Sequence, residues 1–252
     1  MTLPTRTRTV QIPTADGTAD AFVACPAEGG PHPGVLMYMD MFGLRPVLNG
    51  MAEHLASHGY YVVLPNVFYR HGPAPVVDLP DLTAPENRGA FFEQVGPMFH
   101  TLTAERSAQD AGAYLDFLAA QPEVRTGPAG VTGYCLGGVL AVRAAAAHPD
   151  KVAAAAGFHP GPLVSEGPDS PHLLAPRITA ELHLGIPSQD DHMSPEAVEK
   201  VRQALDGAGV RHTTEVYPDT LHGFTQADTT EFSPAGLERH WDRLLALLGR
   251  TL

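Results

Sequence analysis

One stretch, Val131-Thr-Gly133-Tyr-Cys135-Leu-Gly137-Gly138, does most to limit what this chain can fold into. A strand-length apolar run leads into Gly-x-Cys-x-Gly-Gly and straight on into an alanine-rich helical stretch, Val139 to Ala147. That is the shape of a nucleophile elbow, with cysteine at the turn. Glycines two before and two after the cysteine let neighbouring chain pass without a Cβ in the way. The helix start behind it offers unpaired N–H groups and a positive dipole end, which favour a thiolate and a developing oxyanion.

The rest of the chain supplies the matching frame. Thr7 to Pro13 and Ala19 to Cys25 read as a hairpin around Asp16-Gly17. Gly34 to Met39, Tyr60 to Leu64 and Ala129 to Tyr134 are continuous apolar runs, the pattern of strands buried on both faces. Lys151 to Phe158, Ile178 to Leu184 and Val210 to Tyr217 are further strands. Helices are expected over Val47 to His58, Thr103 to Ala120 and behind the elbow. Two more open at Ser194-Pro195 and Ser233-Pro234, each a cap residue followed by proline at the first helical position, and run to Leu205 and Leu248. Asn66 to Gln94 reads as a loop with one short helix, and Pro160 to Pro176 as a surface loop. Alternating strands and helices predict a mostly parallel, twisted sheet of about seven to eight strands with helices on both faces. Residues 1–252 form one α/β domain on this reading, with the proline-rich segment at 66–100.

Composition excludes several classes. A net charge of −12 with no basic run argues against nucleic acid and anionic membrane as partners. No run approaches a membrane span, and Met1 to Thr9 lacks the apolar core of a secretory signal. Two cysteines, Cys25 and Cys135, make neither a disulfide framework nor a zinc ribbon, so a cytoplasmic setting is the default. The Gly-Tyr-Cys-Leu-Gly-Gly register does not suit a dinucleotide. A small-molecule substrate, no cofactor and a monomer or small homo-oligomer are expected.

An elbow needs a histidine and an acid. In an α/β-hydrolase the order is nucleophile, acid, histidine, on loops at the carboxyl ends of strands. Cys135 is followed by Gln189-Asp190-Asp191-His192-Met193-Ser194-Pro195, and that by Leu221-His222-Gly-Phe224. Order and placement fit acyl transfer, with His222 as base and then acid and Asp190 or Asp191 fixing its tautomer. The backbone N–H groups of Leu136 and Met41 are the expected oxyanion donors. This chemistry calls on no metal.

At these positions the chain resembles the dienelactone hydrolase family of α/β-hydrolases. The resemblance rests on Gly133 to Gly138, on Asp40-Met-Phe-Gly43, on Gly59-Tyr…Pro65-Asn…Tyr69-Arg70 and on Leu221 to Phe224, and covers roughly residues 10 to 250. It implies a triad of Cys135, Asp190 and His222 acting on small esters or lactones. It also implies a carboxylate, here Asp40, that keeps the resting thiol protonated. Two departures stand out: Asp40 replaces a glutamate, and Gln226 stands where dienelactone-specific members carry an arginine for the substrate carboxylate. Arg70 or Arg88 is expected to compensate from the proline-rich loop.

Other residues have plainer readings. Cys25 reads as a buried small hydrophobe. His54 and His58 have metal-capable spacing but no third ligand, so they read as a solvated helix face. His192 reads as part of a loop that caps the next helix. His159 is a candidate for the pocket wall, while Tyr69, Phe91, Phe92 and Phe99 either wall the pocket or pack the loop. A non-catalytic binding protein on the same fold and an acyltransferase are the rival functions.

Overall fold

A computed structural model describes residues 2–252. The chain opens with an antiparallel hairpin, β1 (Thr5–Thr14) and β2 (Gly17–Pro26). β3 (Gly34–Tyr38), β4 (Tyr61–Pro65), β5 (Ala129–Tyr134), β6 (Val152–Phe158), β7 (Glu181–Gln189) and β8 (His212–Leu221) complete the sheet. The spatial order is β1-β2-β4-β3-β5-β6-β7-β8. β2 is antiparallel to β1 and β4, and all remaining neighbours are parallel.

Every residue of β3, β4 and β5 is buried, which is why these strands are unbroken apolar runs rather than alternating ones. α1 (Pro46–Ser57) and α6 (Pro234–Thr251) cover one face, where the His54 ring lies 4.1 Å from that of Trp241. α3 (Ala104–Ala119), α4 (Leu136–Ala147) and α5 (Pro195–Gly207) cover the other. The cap signals act as expected: Ser194 Oγ accepts from Ala197 N at 3.3 Å, and Ser233 Oγ from Gly236 N at 3.1 Å.

Among the differences from expectation, two bear on the site. The proline-rich region holds a longer helix, α2 (Arg88–Thr101), with Pro97 inside it. The internal proline and weak amphipathic pattern hide it from a reading by periodicity. β8 continues four residues past Tyr217, because an irregularity opposite Pro187–Gln189 absorbs Pro218 and Asp219, the latter at φ 53°. Proline is tolerated in a strand at such a break. The longer strand delivers His222 directly from its end. No helix among the described residues is long and apolar enough to cross a membrane.

Candidate active site

The elbow is built by backbone contact. Cys135 sits at φ 53° and ψ −116°, a conformation L-residues avoid and one held here from both sides. A Cβ on Gly133 would fall 2.0 Å from the carbonyl oxygen of Gly137. A Cβ on Gly137 would fall 2.6 Å from the carbonyl oxygens of Tyr38 and Met39. Strand β5, helix α4 and the end of β3 therefore meet main chain to main chain. The carbonyl of Cys135 accepts from Gly138 N at 3.0 Å and Gly161 N at 2.9 Å, pinning the turn. Leu136 opens α4, so its N–H has no carbonyl one turn back. The Met41 N–H has no hydrogen-bond partner among the described residues, since the following loop turns on Phe42 N and Gly43 N instead.

His222 leaves the end of β8 and meets the loop after β7. Its Nδ1 lies 2.8 Å from Asp190 Oδ2, a carboxylate wholly shielded from solvent. Asp190 Oδ1 accepts from His192 N at 2.9 Å, while Asp191 is exposed. The structure thus brings Asp190, not Asp191, to the histidine. Nε2 of His222 is buried without a hydrogen-bond partner among the described residues. Cys135 lies close enough to act on it electrostatically, without the geometry of a formed hydrogen bond. Burial alone lowers the pKa of His222, but the Asp190 hydrogen bond and the neighbouring cysteine outweigh it and push it up to about 10.

His159 props this arrangement from below. It follows β6 at φ 36°, is fully buried, and its Nε2 lies 2.7 Å from Thr225 Oγ1, three residues past His222. Its ring meets that of His222 edge-on at 5.3 Å. Burial, with the neighbouring His222 and His240, holds its pKa well below the usual histidine value, so it stays neutral. Phe224 anchors the same loop: a Cβ on Gly236 would fall 2.7 Å from its ring, so α6 begins in contact with it.

Cys135, Asp190, His159 and His222 line a cleft of about 780 Å³, walled on its apolar side by Phe42, Phe92 and Leu221. Arg88 and Gln226 reach it as well. Tyr69 and Arg70 do not; both are bound to the buried Asp110, Tyr69 Oη at 2.9 Å and Arg70 Nη1 at 2.7 Å, which fixes the start of the proline-rich segment. Phe91 lies on the buried face of α2, its ring 5.4 Å from that of Phe42, and Phe99 is on its exposed face.

Asp40 departs from its expected role. It reaches the cleft, but its oxygens accept from Arg45 Nη1 at 2.7 Å and Nη2 at 2.9 Å, and it makes no hydrogen bond to Cys135 among the described residues. Sequence reasoning missed Arg45. It is 5% exposed, precedes α1, and also donates from Nε to Asp228 at 2.7 Å and from Nη2 to Gln226 at 3.3 Å. Burial opposes its charge, yet Asp40 and Asp228 more than compensate and raise its pKa. A cation at a helix start is disfavoured by the dipole, and that was the one local signal that Arg45 needs acidic partners from elsewhere. The other guanidinium near the cleft, Arg88, is bound by Glu231 through two contacts of 3.0 Å.

A doubly wound sheet with a strained cysteine between β5 and α4, and a histidine–aspartate pair on the last two strand-end loops, defines an α/β-hydrolase. The family model for the dienelactone hydrolase family matches residues 19–252. The chain is 30% identical over 233 residues to a "Putative carboxymethylenebutenolidase" of Azospirillum brasilense, covering 91% of this chain and 92% of that one. It is 28% identical over 240 residues to a protein of the same name in Methylorubrum extorquens, covering 93% and 78%. A Klebsiella pneumoniae "Putative Dienelactone Hydrolase" structure superposes with a TM-score of 0.86 at 21% identity, covering 98% and 99%. A dienelactone hydrolase-like promiscuous phosphotriesterase from metagenomic libraries does so at 0.77 and 20%, covering 98% of each. The chain belongs to the dienelactone hydrolase family, a family of carboxylic-ester hydrolases.

Proposed function

We propose that this protein hydrolyses small, uncharged carboxylic esters or lactones through a Cys135 acyl-enzyme. The observation that carries this reading is the 2.8 Å Asp190–His222 contact with His222 Nε2 left unpartnered beside the strained Cys135. Cys135 Sγ, its proton passed to His222, attacks the carbonyl carbon, and the carbonyl π pair moves to oxygen, where the Leu136 and Met41 N–H groups receive it. His222 passes its proton to the departing alkoxide, then takes one from water as that water attacks the thioester and releases the thiolate. Asp190 holds the tautomer and balances the imidazolium.

The preference for uncharged substrates rests on the state of the arginines. Arg45 is neutralised by two carboxylates and Arg88 by one, and Gln226 is neutral. No free guanidinium among the described residues of the cleft is left for a substrate carboxylate, and the wall is aromatic. A cytoplasmic setting suits a nucleophile that has to stay reduced.

The test is hydrolysis of p-nitrophenyl acetate and a lactone panel by wild type and Cys135→Ala, with mass spectrometry for an acyl adduct. The variant is expected to lose at least about 10³-fold in kcat. Equal activity in both removes Cys135 as nucleophile. Tight reversible binding with no turnover favours a binding protein, and ester exchange outpacing hydrolysis in added alcohol favours an acyltransferase.

A further inference from the structure

His192 has no role in the chemistry just described, yet its ring lies 4.6 Å from that of His222, edge to face. Its ring nitrogens make no hydrogen bond among the described residues, and only its main-chain N–H is engaged, by Asp190. Asp190, His192 and His222 each present one ligand atom, and these atoms lie within 4.8 Å of one another. We propose that the three side chains form an inhibitory site for a borderline divalent transition metal, with Zn²⁺ the best match.

The donor set argues for that class of ion. Two imidazoles and one carboxylate suit zinc and its neighbours, whereas calcium and magnesium need oxygen donors throughout. In a tetrahedral site with bonds of about 2.0–2.1 Å, donors stand roughly 3.3 Å apart. The Asp190–His222 contact, at 2.8 Å, is already that tight. The remaining contraction, up to about 1.5 Å from the 4.8 Å limit, falls on His192, whose exposed ring is free to turn. The cluster opens onto the cleft, which gives an entry path and room for water as a fourth ligand.

Binding needs no redox partner. The metal takes the place of a proton on the His222–Asp190 pair, and that proton goes to solvent. An imidazole whose lone pair is committed to a metal no longer carries protons for Cys135, so occupancy stops turnover. This inhibitory consequence rests on the hydrolase reading, whereas the binding itself does not.

The experiment separates the two. Full-length Cys135→Ala protein, which cannot use the thiol as a ligand, is titrated with Zn²⁺ by calorimetry and with Co²⁺ by visible absorption. One equivalent is expected to bind, and adding His192→Ala is expected to weaken binding at least tenfold. With wild type, Zn²⁺ is expected to inhibit p-nitrophenyl acetate hydrolysis and EDTA to restore it. His192→Ala should require at least tenfold more zinc, each protein being compared with its own metal-free rate. Loss of binding in Cys135→Ala, or equal binding with and without His192, overturns the site. Binding to wild type without any effect on its ester hydrolysis overturns the inhibitory role. A wild type that hydrolyses no ester defeats the hydrolase reading, and calorimetry still decides the site.

Discussion

The elbow at Cys135 and the rim around Arg45 deliver groups to one cleft, but they are fixed by different physics. The elbow is main chain against main chain: Gly133 and Gly137 leave gaps that any Cβ would close to 2.6 Å or less. The rim is side chain against side chain, with Arg45 joining Asp40, five residues away, to Asp228 and Gln226, 183 and 181 residues away. The glycines that permit the first lie together in one short motif, whereas the second is written entirely in side chains that meet only after folding. Their tolerance to change should differ accordingly.

The largest effect is expected at the elbow. Gly137→Ala sets a methyl 2.6 Å from the carbonyl oxygens of Tyr38 and Met39. Relief requires the end of β3 to move, and with it the loop bearing Met41. We expect kcat for p-nitrophenyl acetate to fall at least about 100-fold, since a misplacement near 1 Å costs that much. Urea denaturation should show a loss of about 3 kcal/mol. A variant within a few-fold of wild type in both would mean that the close approach does not fix the nucleophile.

The rim should lose less in turnover but at least as much in stability, and it should be repairable. Arg45→Met leaves Asp40 buried without its cation, at a cost of roughly 3–5 kcal/mol. Asp228 is partly exposed and can be hydrated instead. Adding Asp40→Asn should therefore recover at least about 1 kcal/mol, read as a positive coupling in a double-mutant cycle. No such second site exists for Gly137, whose nearest neighbours are the backbone oxygens of Tyr38 and Met39. Additive losses at Arg45 and Asp40 would erase the distinction between the two regions.

That distinction also explains how much of the molecule was legible in the sequence. The buried strands were legible because burial on both faces removes every charged residue from β3, β4 and β5. Cys135, Asp190 and His222 were legible as candidates because each follows a strand end, and a strand end is a local pattern. Only the resemblance favours Asp190 over Asp191, because the choice turns on which carboxylate meets the His222 ring across 32 residues. Asp40 and Arg70 were misread for the same reason: a charged side chain takes its role from its partner, and Arg45 and Asp110 lie outside the motifs that carried the resemblance.

A smaller effect is expected at the mouth of the cleft. Glu231 binds Arg88 in a fork, and that guanidinium holds the Glu231 pKa down against the opposing effect of burial. Glu231→Gln removes the competing charge and frees Arg88 toward the cleft. Selectivity, taken as the ratio of kcat/KM for a carboxylate-bearing ester over its methyl ester, should rise roughly 3–10-fold. An unchanged ratio would show that pairing with Glu231 is not what turns anionic substrates away.

The subtlest effect lies in the floor behind the elbow, where His159, His183 and His240 are buried and neutral. Burial lowers all three, with His183 brought down to about 4 despite the nearby Glu215. Below a pH of about 6.5 the unfolded chain takes up protons at these positions before the folded one does, so stability falls with pH. For His183 the loss accrues from about 6.5 down to about 4, where the folded form also protonates. His222 runs the other way: with its pKa raised to about 10, its contribution is full below about 6.5 and fades as pH climbs through 10. His183→Gln keeps a polar group near Tyr217 Oη, 3.3 Å from the present ring nitrogen, but cannot titrate. Between pH 6.5 and 5 it should spare the protein about 1–2 kcal/mol of acid destabilisation. In thermal melts at the two pH values, that is a Tm drop smaller by a few degrees than in wild type. An acid limb identical to wild type would place the sensitivity elsewhere, in the paired carboxylates of the rim, and would make the side-chain-built region the weaker of the two at low pH.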